Sequence, residues 1–128
     1  MKSSGYVIAV LISTIWISIN EFVRNTFVLH DVWLDHYQHM GQAFPEAPVN
    51  GAVWGIWSLV FAIVVNTLSS QFDLIKTTLI SWVIGFAMMW IVIGNLGVLP
   101  LSILPVAIPW SIVEAFGAAY ICTLFFKK

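Results

Sequence analysis

A carboxylate at position 114 stands inside an otherwise apolar stretch, Trp110-Ser111-Ile112-Val113-Glu114-Ala115-Phe116-Gly117-Ala118-Ala119. A charge at the centre of a membrane helix costs about 2.5–3.5 kcal/mol on insertion scales, so such a residue is protonated, paired, or set against a wet cavity. A functional role as a proton- or substrate-responsive acid and a structural role fixing helix packing are both open to it. Two more ionisable groups stand late in the first apolar run. Glu21 and Arg24 are three apart with the acid first, the favourable order for a helical ion pair. Ser13, Thr14, Ser18, Asn20 and Asn25 fall on the same side of that run, at helical spacings. Acyl chains cannot solvate these groups, so this side is expected to face other helices or a water-filled space. Arg24 is the expected partner of Glu114. Ser111, one turn before Glu114, is expected to donate a hydrogen bond to it. The plainer reading has Glu21 and Arg24 anchoring the end of a helix, with the arginine reaching the headgroups.

Depth supports a meeting of these groups. At 1.5 Å per residue, Glu21 lies ~23 Å along the first run and Glu114 ~16 Å along the fourth, entered from the opposite side. Asn20, Asn95 and Ser58 come to similar depths. The candidate site for a substrate or proton is therefore Glu114, Glu21, Arg24, Asn20, Ser111 and Asn95.

A second concentration of chemistry lies between the first two runs. The segment His30-Asp31-Val32-Trp33-Leu34-Asp35-His36-Tyr37-Gln38-His39 holds every histidine of the chain. It reads as a short amphipathic helix ending near Gly41, with Trp33, Tyr37 and Met40 on one face and Asp31, Asp35 and His39 on another. An anionic polar face is unlike the lysine-rich face of membrane-binding peptides, so capping of the other helices is expected. Asp31, Asp35, His36 and His39 offer nitrogen and oxygen ligands, which makes a divalent metal in this outer loop the functional alternative. Histidine also titrates near neutral pH, so a pH-sensing cap is a further reading. Asn50 is the expected cap of the following helix.

The elements that position these groups are legible as four long apolar runs, 6–26, 49–69, 74–94 and 103–126, with 27–48 as the outer loop. Crossing a hydrocarbon core of ~30 Å takes ~20 helical residues, and the runs are continuous rather than alternating, which argues against barrel strands. With 60% hydrophobic and 9% charged residues, the expected class is an all-α integral membrane protein. It forms one domain, 1–128, built as a four-transmembrane-helix bundle with the short helix in its first loop. The start of the chain resembles a signal peptide in charge pattern, but its apolar run is long and no small-x-small site follows, so a retained helix is expected.

Lys2, Lys76, Lys127 and Lys128 fall on one side of a four-span topology and Arg24 on the other. The positive-inside rule then puts both termini in the cytoplasm, in a bacterial inner or plasma membrane. Pro105 and Pro109 open the fourth run, where Pro109 interrupts the helix ladder. Gly51 and Gly55 form a GxxxG, and Ala107, Ser111, Ala115, Ala118 and Ala119 form a small-residue stripe on the fourth run. Both permit close helix approach, within the chain or with a second copy. Trp16, Trp57, Trp82 and Trp90 are expected to pack the interior.

Several classes drop out. A net charge of -1 without a basic patch argues against nucleic acid. A single cysteine, Cys122, cannot form an internal disulfide and excludes thiol-pair redox chemistry; it reads as an apolar filler. The glycine–arginine signature of fluoride channels and the Arg/His signatures of membrane phosphatases are missing. Three expectations stay open. The first is a small proton-coupled transporter or channel-like protein using Glu114, assembled as a homo-oligomer in the lipid bilayer. The second is an accessory or sensory subunit in which Glu114 is structural. The third, ranked last, is an acid–base enzyme acting on a lipid-like substrate. No cofactor other than the loop metal is expected.

Overall fold

The computed structural model describes residues 3–126. Helix α1 (Ser3–Phe22) runs on into a π-helical segment, Val23–Val28. After it come α2 (His30–His39), α3 (Pro48–Ser69) and α4 (Leu74–Trp82). A second π-helical segment, Val83–Ala87, joins α4 to α5 (Met88–Asn95), and a 3-10 turn, Leu101–Ile103, leads into α6 (Leu104–Thr123). No strand occurs among the described residues.

Four helical rods are long and apolar enough to cross a membrane: Ser3–Val28, Pro48–Ser69, Leu74–Asn95 and Leu101–Thr123. They fall on the four apolar runs of the sequence. The last stops earlier than the apolar pattern, which continues to Phe126 although the helix gives way to a turn after Thr123.

The distribution of polarity is reversed from that of a water-soluble core. Val7, Leu11, Ile15, Ile19 and Phe22 line the outer side of α1 at helical spacing and are exposed, as are Ile56, Val60 and Ile63 on α3. Beside apolar residues such as Ile17, Phe61, Val65 and Phe86, the interior holds Ser13, Ser58, Asn66, Thr77, Thr78, Ser81 and Ser111. Several of these satisfy themselves locally. Ser58 donates to the carbonyl of Trp54, Asn66 to that of Ala62 and Thr78 to that of Leu74, each one turn back. Such back-bonding makes a polar side chain tolerable where water is scarce. An apolar exterior over an interior that mixes apolar and polar side chains fits a membrane protein.

Helix α6 runs antiparallel to α1. Ser13 Oγ and Cys122 Sγ lie 3.8 Å apart, and Trp110 Nε1 donates to Asn20 Oδ1 at 3.0 Å, so residue numbers rise on one helix as they fall on the other. Trp82 Nε1 donates to Ser111 Oγ at 2.8 Å and ties α4 to the same helix. The small stripe of α6 explains its place among the other helices: Ala107, Ser111, Ala115, Ala118, Ala119 and Cys122 are all buried. Trp57 stacks on Phe61, and both meet Phe86 edge-on. Trp16, Trp57, Trp82 and Trp90 pack against this core, as expected from their depth.

The glycines that permit close approach are not the GxxxG pair. Gly51 and Gly55 face open space, with nothing within 4 Å of an added Cβ. A Cβ on Gly85 would come within 2.5 Å of the Phe61 ring, and one on Gly117 would overlap the Trp16 indole. These two positions set how tightly α3 meets the α4–α5 rod and α1 meets α6.

Helix α2 lies where the sequence places it. Its Trp33 and Val32 pack on a second small core of Leu29, Leu99, Ile103 and Ala107, and His36 Nε2 donates to the Gly97 carbonyl at 2.8 Å. It therefore covers the turn between α5 and α6, while Asp31, Asp35 and His39 stay exposed. Gly41, at φ 71°, closes its end. Phe44 stacks on Trp33 at 5.9 Å and meets Tyr37 edge-on at 5.1 Å. Asn50 is not the cap residue of α3. The N-cap is Ala47, and Asn50 Oδ1 accepts the Ala47 backbone N–H at 3.1 Å from three residues inside the helix. An asparagine there closes the helix from within, after Pro48 has taken the first helical position. Of the lysines behind the topology reading, Lys2, Lys127 and Lys128 lie outside the described residues.

Candidate functional site

Arg24 is the centre of the buried polar chemistry. It sits in the π-helical segment that extends α1, and it is 3% exposed. One guanidinium nitrogen donates to Glu21 Oε1 at 2.6 Å and the other to Glu114 Oε1 at 3.1 Å. The guanidinium carbon lies 5.7 Å from the centroid of Phe86 and 6.0 Å from that of Trp110. Arg24 thus bridges two carboxylates and touches two aromatic faces, which welcome a cation through the ring quadrupole. A single-turn π insertion is uncommon and concentrates at functional sites. Here one carries Arg24 and the other carries Phe86.

The acids are held unequally. Glu21 Oε2 accepts from Asn25 Nδ2 at 3.1 Å, and Asn25 Oδ1 in turn accepts from Trp33 Nε1 at 3.2 Å, so α2 reaches the cluster through one asparagine. Glu114 is fully buried, and its Oε2 has no hydrogen-bond partner. Glu114 is positioned through its backbone instead. Trp16 Nε1 donates to its carbonyl at 2.9 Å. Asn20 Nδ2 donates to the Trp16 carbonyl at 2.8 Å, and Asn20 Oδ1 accepts from Trp110. The indole of Trp16 can lie across α6 only because position 117 is glycine.

A cavity of about 450 Å³ adjoins this cluster. Glu21 and Asn25 stand in its wall with Ser18 from α1, and Trp54 and Ser58 face them from α3. The loop between α2 and α3 contributes Phe44 and Glu46, and His30 joins them from the start of α2. Its size is that of a small-molecule site, roughly 300–1,000 Å³. His30 donates from Nε2 to Glu46, linking the two sides of the rim, and its Nδ1 lies 3.6 Å from Asp31. Its hydrogen bond to Glu46, helped by the charges of Glu46 and Asp31, raises the imidazole pKa above the ordinary value.

Three of the six predicted site residues meet, and a fourth lies one hydrogen-bonded residue away. Glu21, Arg24 and Glu114 form the cluster, and Asn20 braces it. Ser111 does not donate to Glu114. Its hydroxyl donates to the Ile108 carbonyl at 2.9 Å and accepts from Trp82, the local back-bonding that a helical serine has within reach. Asn95 ends α5 in an exposed position and hydrogen-bonds to none of the cluster residues. The acidic, histidine-bearing helix does not present a ligand set. His36 is turned to Gly97, His39 Nδ1 donates to the backbone carbonyl of Asp35 at 2.7 Å, and Asp31 and Asp35 point outward. Among the described residues no three His, Cys, Asp or Glu side chains converge as metal ligands would.

Trp16, Phe86, Trp110 and Gly117 are site residues that the sequence did not announce. Trp110 stands one helical turn before Glu114, a spacing that places both on one face. Phe86 carries no such signal, since its approach to Arg24 depends on packing between distant segments. No family model, curated protein or solved structure matches this chain.

Proposed function

We propose that this chain is an integral membrane protein of four transmembrane helices, with both termini on the cytoplasmic side and α2 capping the outer face. We further propose that it couples proton movement to the passage of a small solute. The observation that carries the reading is a single buried arginine shared by two acids, one of which borders a solute-sized cavity while the other keeps a free oxygen.

Charge counting gives the mechanism. Two carboxylates and one guanidinium leave one negative charge over. A buried cluster of this kind is best tolerated when neutral. One proton on Glu114 achieves this, and Arg24 then stays with Glu21. If Glu114 is ionised, its free Oε2 lets Arg24 pair with it through both oxygens, the stronger bidentate geometry. Glu21 is then released toward the cavity. Proton binding at one acid and solute binding at the other exclude each other through the arginine between them. This is the logic of an exchanger, and it needs movement of one side chain rather than of a whole helix.

Reconstituted protein in liposomes loaded with a pH-sensitive dye tests the reading. A panel of cationic, neutral and anionic solutes that fit the cavity is added outside. At least one is expected to drive proton flux through the wild type and none through Glu114→Gln. A variant that moves protons as fast as wild type, or a wild type silent with every solute, overturns it. The second reading makes the cluster a structural lock, and the dense bracing of Glu114 by Trp16 and Asn20 favours it. It expects Glu114→Gln to alter melting alone.

A further inference from the structure

We infer that the cavity takes a monovalent organic cation with an apolar body. This rests on the exchange reading for the role of Glu21 and deepens it by naming the ligand class. Three features of the wall lead there.

The first is sign. The described wall contains two carboxylates, Glu21 and Glu46, and no lysine or arginine. Arg24 itself lies outside the lining, behind Glu21. An anion entering here meets acids with no compensating donor charge beyond the rim imidazole, and that imidazole is already engaged by Glu46. The second is shape chemistry. Phe22, Phe44 and Trp54 supply apolar and aromatic surface. Aromatic faces hold both a cation and its hydrocarbon substituents, whereas a metal ion would require several oxygen ligands at close range. The third is charge balance. A ligand with one positive charge beside Glu21, with Arg24 paired to ionised Glu114, makes the whole cluster neutral, as one proton does in its absence. A dication or a neutral ligand would not balance it. One ligand charge is therefore expected to exchange for one proton.

The placement of polar groups fits a molecule with two ends. Glu21, Asn25 and Ser18 cluster on the α1 wall, and Trp54 and Gly55 form the α3 wall opposite them. Gly55 presents bare backbone to the space, with no neighbour within 4 Å of a Cβ. The charged end belongs near Glu21 and the apolar body along Trp54 and Phe44.

The test is equilibrium binding to purified full-length protein in detergent, with no gradient. Benzyltrimethylammonium is the probe, and phenylmethanesulfonate is the control of matched size and opposite sign. Titration is followed by calorimetry and by tryptophan fluorescence at pH 8.5 and at pH 5.5. The cation is expected to bind and the sulfonate not. His30 stands in the same wall and gains charge over this range, so the pH comparison is made in a His30→Gln background: there affinity should fall at the lower pH, as protons compete at Glu114, and lose that dependence when Glu114→Gln is added. Glu21→Gln should weaken the cation at least ~10-fold, the usual outcome of removing one side of a buried charge pair. Because Glu21→Gln also disturbs Arg24, Trp54→Leu is measured beside it. That change leaves every ion pair intact and is expected to weaken the cation several-fold. Equal binding of both probes, tighter binding of the sulfonate, or no cation binding by protein that melts cooperatively overturns the ligand class. Cation binding that never drives proton flux in liposomes supports the ligand class and overturns the exchange reading.

Discussion

Replacing Arg24 by methionine removes the one positive charge from the buried cluster and leaves both acids in place. The side chain stays long and unbranched, while the guanidinium that faces Phe86 and Trp110 is lost. Glu114 is fully enclosed and Arg24 is 3% exposed, so water cannot take over the lost hydrogen bonds. Breaking a buried ion pair from one side typically costs about 3–5 kcal/mol. Here one guanidinium serves two acids at 2.6 and 3.1 Å and also faces two aromatic rings. The upper part of that range is therefore expected. The triple variant Arg24→Met, Glu21→Gln, Glu114→Gln removes all three charges together. It should recover most of the loss, since a neutral buried set is often as stable as the ion pair it replaces. Reversible unfolding in mixed micelles, followed by circular dichroism, measures both. If Arg24→Met alone stays within about 1 kcal/mol of wild type, as exposed pairs do, the cluster is solvated and buried charge does not govern it. If the triple variant is no better than the single one, the damage lies in packing rather than in charge.

Gly117→Ala places a methyl group against the Trp16 indole. It should cost roughly 1–3 kcal/mol as overpacking and shift the tryptophan emission as the bond to the Glu114 carbonyl is lost, which fluorescence-monitored unfolding reads. The rim contact between His30 and Glu46 gives a pH dependence of defined sign. Because the folded imidazole pKa is raised, the stability it contributes is complete below the unfolded histidine pKa and is lost as pH rises through the folded one. The thermal midpoint of wild type should exceed that of His30→Gln at pH 5.5, with the gap closing by pH 8.5. A gap that is constant or widens with pH contradicts the contact.

The four spans were legible because nothing competes with a long apolar run. Each reads as a helix whatever its neighbours do. The Arg24–Glu114 pairing was legible for a related reason: two intramembrane charges at similar depth have few other ways to be satisfied. The choice of a partner for Ser111 was not legible. A serine on a helix has a carbonyl within reach one turn back, and whether it uses that or a longer contact depends on what packs against it, here Trp82. The outer histidines show the same limit. Asp35 and His39 have the spacing of a two-ligand helical pair, but the His39 ring takes the backbone carbonyl of Asp35 and the carboxylate turns outward. Glycine spacing named a permitted close approach, within the chain or with a second copy, and not its partner. Gly51 and Gly55 form a familiar pattern and touch nothing, whereas the isolated Gly85 and Gly117 admit an aromatic ring each. Pattern reports where a close approach is permitted, and the partner ring decides where it occurs.

The two π-helical segments have a consequence for how this chain tolerates changes in length. Each wide turn holds one residue more than the regular helix would use for the same advance, so removing a residue from Val23–Val28 would let the regular helical pitch return. The residues beyond it would keep roughly their place around the rod, because the wide turn had absorbed the extra residue. What would be lost is the width of the turn itself, which turns Arg24 toward Glu114 and Asn25 toward Trp33, while α2 stays over the turn it covers. The rod Ser3–Val28 is therefore set by two rulers at once: a length and polarity that fit a membrane, and a wide turn that delivers a charged side chain to the interior.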